Sequence, residues 1–92
     1  MNTKRVIEFE VHALHRMLQR GAKFSLNYFE TESRVKRVIQ HAVKSQKRIS
    51  KYIVYHRYFN DDLTFYVICK KREFQEIVHI RIITIIIRRG RE

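Results

Sequence analysis

"QEIVHIRIITIIIR", residues 75–88, is the stretch on which the fold turns. Read as a strand, it sends side chains i and i+2 to the same face. Val78, Ile80, Ile82 and Ile86 then share one face, and Ile77, Ile83, Ile85 and Ile87 the other. A strand apolar on both faces is expected to be covered on both sides. Crossing a bilayer as a helix takes about 20 apolar residues. The run Ile82–Ile87, fenced by Arg81 and Arg88, is far shorter, so it reads as a strand and not as an anchor. His79 and Arg81 lie on the Ile77 face, toward the start of the strand.

Outward from this strand the chain keeps a β pattern. Residues 63–70 and 51–59 are rich in Tyr, Val, Ile and Phe. Asn60-Asp61-Asp62 and Lys71-Arg72-Glu73-Phe74 read as the turns between them. Farther back the period changes. Val35, Val38, Ile39, Ala42 and Val43 recur as the stripe of an amphipathic helix, which runs from about Thr31 to Ser45. Residues 47–50 read as loop. Ala13, Leu14, Met17 and Leu18 form a second apolar stripe, on a helix over 12–20. Gly21 is placed as its left-handed stop, and Ser25 as a candidate cap at the start of a helix. Ahead of the 12–20 helix, Ile7, Phe9 and Val11 alternate with polar residues as a half-buried strand.

The expected order is β-α-α-β-β-β. This is an α+β fold with two helices packed on one face of a mainly antiparallel sheet. Ninety-two residues make one domain, 1–92, with a tail at 89–92 expected to fray. Two helices cover only one side. The second apolar face of the last strand is therefore expected to meet a second subunit, as a homodimer, or a partner segment.

A lone cysteine, Cys69, excludes an internal disulfide framework and reads as a buried small hydrophobe. Glu8 and Glu10 stand where a secretory signal needs apolar residues, so the expected location is cytoplasmic.

The formal net charge is +11. Arg34, Lys36, Arg37, Lys44, Lys47, Arg48, Lys51 and Arg57 are opposed only by Glu30 and Glu32 between Glu30 and Asn60. Such a field attracts polyanions: RNA, DNA, anionic lipid or an acidic protein. Tyrosines alternate with basic residues through Tyr52–Tyr58. Tyr55 beside Arg57 is a candidate for stacking on bases, although tyrosine is also an ordinary strand former.

In "HALHRMLQRG", residues 12–21, His12, Arg16 and Arg20 line one helix edge at i, i+4 and i+8. The free amides and positive dipole at the helix start favour an anion there. Arg16 and Arg20 are spaced to hold one phosphate, and a neutral His12 suits a general base. The same spacing also describes a solvated basic face. His12 and His15 lack a nearby third ligand, so no metal is expected, and no phosphate loop or cofactor motif is present.

The segment His12-Ala13-x-x-Arg16-Met17-x-x-Arg20-Gly21 resembles the H-A-x-x-R-M-x-x-R-G opening of a family of small bacterial and phage-type domains. That family is similar to the RelE-like toxins of toxin–antitoxin pairs. The match covers ten residues, and the rest agrees in element order only. Residues 22–31 depart from the pattern by being longer and aromatic.

The resemblance implies a metal-independent endoribonuclease in which a 2′-hydroxyl attacks its own phosphate. His12 or His79 would serve as base or acid, with Arg16, Arg20 and Arg81 on the phosphate. An acidic antitoxin-like protein would be its partner. The alternative is a non-catalytic, dimeric nucleic-acid-binding module, such as a phage or viral regulator, using the basic surface alone. A third reading is an interaction protein whose charge meets only an acidic protein.

Overall fold

The computed structural model describes residues 4–41, 47–49 and 52–91. Strand β1 (Lys4–Phe9) leads into helices α1 (Val11–Ala22) and α2 (Tyr28–His41). Strands β2 (Lys47–Ile49), β3 (Tyr52–Phe59), β4 (Leu63–Phe74) and β5 (Ile77–Arg89) complete the chain. The sheet order is β1-β5-β4-β3-β2. β1 runs parallel to β5, and all other pairings are antiparallel. The expected α+β arrangement holds. A three-residue edge strand is added at 47–49, where the sequence reads as loop.

The long strand differs from its reading in one decisive way. Ile68 pairs with Thr84 while its neighbour Cys69 pairs with Ile82, so Ile83 is an extra residue, a β-bulge. One inserted residue reverses the alternation beyond it. Val78, Ile80 and Ile82 before the bulge, and Ile85 and Ile87 after it, consequently share one buried face. They join Leu63, Phe65, Val67 and Cys69 of β4 in a single core under the helices. Among the described residues the helices cover the strand on one side, not two. Its other face carries Ile77, His79, Arg81, Thr84, Ile86 and Arg88. The doubly apolar strand that motivated a homodimer does not form.

Helix α1 lies over β5, and α2 over β4 and β3. α1 turns Ala13, Met17 and Gly21 inward, while Leu18, expected in the core, is 58% exposed. Val11, expected to end β1, instead opens the helix and is exposed. Gly21 is not a helix stop. It sits within α1, where a Cβ would lie 2.2 Å from Thr31 Oγ1 and 3.3 Å from Thr31 Cβ. The missing side chain lets α1 approach α2. Its carbonyl accepts from the amides of Phe24 and Leu26, and Ser25 supplies the left-handed residue with φ 59°.

Asn27, not Ser25, caps α2. Its Oδ1 accepts from the Glu30 amide at 2.8 Å, and Glu30 Oε1 accepts from the Asn27 amide at 3.1 Å. This reciprocal pair satisfies two otherwise orphaned donors. Buried Thr31, one residue on, donates its hydroxyl to the Asn27 carbonyl at 2.9 Å.

β1 pairs only with Ile77–Ile82 of β5. Beyond that point α1 runs beside the strand. The Glu10 amide donates to Ile82 O at 3.1 Å, and the Arg20 guanidinium donates to Ile85 O. Arg89 lies over the Phe24 ring at 5.5 Å. Residues 71–74, expected as a turn, extend β4, and the reversal falls at Gln75-Glu76 with Gln75 at φ 56°. Within the tail, residues 89 and 90 are held rather than frayed. Arg89 belongs to β5, Gly90 N donates to Asp62 O at 2.8 Å, and Gly90 O accepts from Thr64 Oγ1 at 2.6 Å. Ala42, Val43 and Ser45, expected in the second helix, lie outside the described residues.

This packing has measurable consequences. Gly21→Ala is expected to destabilise by about 1–3 kcal/mol through overpacking against Thr31, outweighing the roughly 1 kcal/mol alanine gains as a helix former. Adding Thr31→Ala should return part of that loss, a coupling that thermal melts of the four-member cycle would measure.

Burial pushes the Cys69 thiol from 9.0 up to about 12. A folded thiol that resists ionisation favours the unfolded state once the pH exceeds 9.0, so stability should fall there. At neutral pH, thiol-specific reagents should label Cys69 only as fast as the chain opens. Rapid labelling of the folded protein would contradict the burial.

Candidate nucleic-acid interface

The face of the sheet away from the helices is set by the register. β3 contributes Tyr52, Val54, His56 and Tyr58, and β4 contributes Thr64, Tyr66, Ile68, Lys70 and Arg72. β5 adds its outward residues from Ile77 to Arg88, and β1 adds Lys4, Val6 and Glu8. Among the described residues no helix crosses this face. Lys4, Arg72, Arg81 and Arg88 on it are exposed, and Lys70 is half-buried.

Aromatic rings and cations are paired across this surface. His56 and Tyr66, directly opposite on neighbouring strands, stack at 5.8 Å with 18° between their planes. The Lys70 ammonium lies 5.4 Å from the Tyr52 ring centre. The Arg88 guanidinium lies 5.8 Å from that of Tyr66, and the Arg91 guanidinium 5.3 Å from that of Tyr58. Positive charge over a ring face is attracted by the ring quadrupole. Tyr58 also donates its hydroxyl to Asp62 Oδ1 at 2.9 Å, and that carboxylate raises the phenol above its ordinary value.

The residues expected at a catalytic site fall into separate groups. His79 Nε2 is 2.9 Å from Glu8 Oε2, and Arg81 Nε is 3.0 Å from Glu10 Oε1. These pairs tie β1 and the entry to α1 onto β5 at one end of the uncovered face. His12 and Arg16 stand on α1, on the helix side of the sheet. Arg16 Nε donates to His12 Nε2 at 3.3 Å. Arg20 turns to Ile85 O. Among the described residues no hydrogen bond or ion pair joins the His12–Arg16 pair to His79 or Arg81.

The basic residues read from the sequence are also divided. Arg34 is bonded to Asp61, Nη2 to Oδ2 at 2.7 Å and Nη1 to Oδ1 at 2.9 Å, and lies over the rings of Phe59 and Phe65. It clamps α2 to the β3–β4 turn. Lys36 pairs with Glu32 at 3.6 Å, and Arg37 is exposed. Tyr55 packs against the core on the helix side. Arg57, on that same side, lies 5.5 Å from the centre of the Phe59 ring. Lys44 and Lys51 lie outside the described residues, as do the side chains of Lys47 and Arg48.

Sequence reasoning missed Lys70, Arg72, Arg88, Arg91 and the ring of Tyr66 as candidates, and within Tyr52–Tyr58 it singled out Tyr55, which faces the core, instead of Tyr52, His56 and Tyr58. A signal for them exists. In Tyr52–Tyr58 the even-numbered positions are Tyr, Val, His and Tyr, whereas Phe59 and Ile53 mark the odd positions as the core face.

No family model, curated protein or solved structure matches the chain.

Arg34 holds the Asp61 carboxyl below its ordinary 3.8, chiefly by hydrogen bonding. A lowered folded pKa contributes stability above the unfolded value, and that contribution disappears as the pH falls through the folded one. Asp61→Asn is expected to reduce stability modestly at neutral pH, since the carboxylate is partly solvated. The difference from the parent protein should vanish in acid below pH 3.8, as read from denaturation midpoints across pH.

Proposed function

We propose that the chain is a nucleic-acid-binding protein that meets its ligand, RNA foremost, through the uncovered face of its sheet. The observation that carries this reading is the placement of Lys70, Arg88 and Arg91 over the rings of Tyr52, Tyr66 and Tyr58, with Arg72 on the same face, which among the described residues no helix covers. A net charge of +11 supplies the long-range attraction. Lysine and arginine bound to phosphate release counterions, so such binding weakens as salt rises. Dimerisation is not required. An acidic protein of the antitoxin kind is a natural competitor for the same cations.

The RNA-cleaving reading has one local support, the exposed His12–Arg16 pair at 3.3 Å. Nothing in the binding reading needs a histidine as acid or base.

Titrating labelled RNA with the protein over a salt series tests the proposal. Lys70→Gln, Arg72→Gln and Arg88→Gln should each weaken binding. Each should also flatten the slope against log salt by about one, the share of a single phosphate left without its cation. Arg37→Gln and Lys36→Gln on α2 should change little. The reverse pattern would move the interface to the helices. Incubation of the same RNA with EDTA addresses cleavage. Loss of intact RNA that His12→Ala or His79→Ala abolishes, with binding kept, would establish the catalytic reading instead.

A further inference from the structure

On the basis of that reading, we infer that the ligand of the uncovered face is a single strand whose bases stack on its rings, and not a duplex. Each tyrosine on this face comes with a cation of its own: Tyr52 with Lys70, Tyr66 with Arg88 and Tyr58 with Arg91. A nucleotide has the matching pair of groups, a flat base and an anionic phosphate. Binding exchanges partners, with the base taking the ring face and the phosphate taking the cation. A cation–ring interaction at a solvated site is weak, so the exchange costs little.

Spacing selects the single strand. On β3, His56 and Tyr58 are two residues apart and Tyr52 and His56 four, or about 7 Å and about 13 Å at roughly 3.3 Å per residue. Successive bases in a duplex strand lie about 3.4 Å apart, with both faces covered by their neighbours. Rings set wider than that engage only bases already unstacked, as in other aromatic platforms for single strands.

The stacked His56–Tyr66 pair lies at the centre of the face, on its two middle aromatic positions. Asp62, which accepts the Tyr58 hydroxyl, places an anion at the third pair. Tyr58–Arg91 is therefore the weakest of the three positions. Stacking accepts every base, so sequence preference is slight.

Fluorescence anisotropy at fixed salt tests this with the unaltered protein and three probes of equal length: single-stranded oligouridylate, an abasic strand with the same phosphates, and duplex RNA. The single strand is expected to bind at least about tenfold more tightly than the other two. Tyr52→Leu and Tyr66→Leu, checked for an unchanged melting profile, should each weaken oligouridylate binding by about 5-fold to 100-fold. They should leave the abasic strand unaffected.

Equal affinity for all three probes would overturn the stacking inference while leaving the proposed nucleic-acid function standing. Tighter binding of the duplex would overturn it in the same way. Absence of salt-dependent binding to any probe would overturn the function itself. If a leucine variant unfolds, the comparison of natural and abasic strands on the parent protein still decides.

Discussion

The extra residue at Ile83 is the constraint on which the rest of the molecule depends. Without it, the strict alternation of β5 would send Val78, Ile80 and Ile82 toward the helices and Ile85 and Ile87 away from them. The helices bury one face only, so Ile85 and Ile87 would be lost from the core and Thr84 and Ile86 would take their places. The net loss of one isoleucine, with a threonine put in its place, is worth about 1.5–3 kcal/mol, a sizeable share of a small domain's net stability. The bulge removes that conflict by letting both halves of one strand feed the same core. It also decides what the other face looks like. Thr84, Ile86 and Arg88 turn outward beside His56, Tyr66 and Lys70, and a surface expected to be greasy becomes mixed aromatic and basic.

Beyond the bulge, β5 has α1 and not β1 at its side, which explains several residues at once. The Ile85 carbonyl on that edge has no strand to pair with, and an unpaired backbone acceptor taken from water is costly. The Arg20 guanidinium meets it from α1. For α1 to lie where Arg20 reaches, it must also sit close to α2, and Gly21 against Thr31 permits that approach. Arg20 and Gly21, adjacent in the motif that carried the resemblance, thus have structural duties that need no substrate. A motif of this kind can be explained by the fold alone, and fold does not fix activity.

Much of the architecture is legible in the sequence because it rests on periodicity. The 3.6-residue stripe of Val35, Val38 and Ile39 and the β-branched, aromatic run over residues 63–70 each have one reading, and the structure bears out both. The errors share a physical cause: local signals that only tertiary packing resolves. Glycine after an apolar stripe reads as a stop, and nothing nearby reveals that Thr31 needs its space. Leu18 sits one position off the buried line through Ala13 and Met17, a rotation that the sequence leaves open. The bulge is hidden because isoleucine occupies both the inserted position and its neighbours. The site suffers most from this. Charge density singles out Tyr55 and Arg57 where Tyr58 and Tyr66 face outward, since it does not say which way a strand turns.

The pairing of acids with the candidate catalytic residues bears on function more than their scatter does. The chain has few carboxylates, yet Glu8 and Glu10 meet His79 and Arg81. On a strongly cationic protein this placement has a mechanical sense. β1 is an edge strand held by one neighbour, and its Lys4 shares a face with β5's own cations. Opposite charges on the same face anchor it. The residues so used are turned to carboxylates, whereas Lys70, Arg88 and Arg91 lie over rings, Lys70 directly opposite Arg81 and the two arginines toward the other end of the strands. Electrostatics thereby divides the cations of this face into a set that holds the sheet together and a set that lies over rings. A ligand that brings both a flat ring and a negative charge gains most from the second.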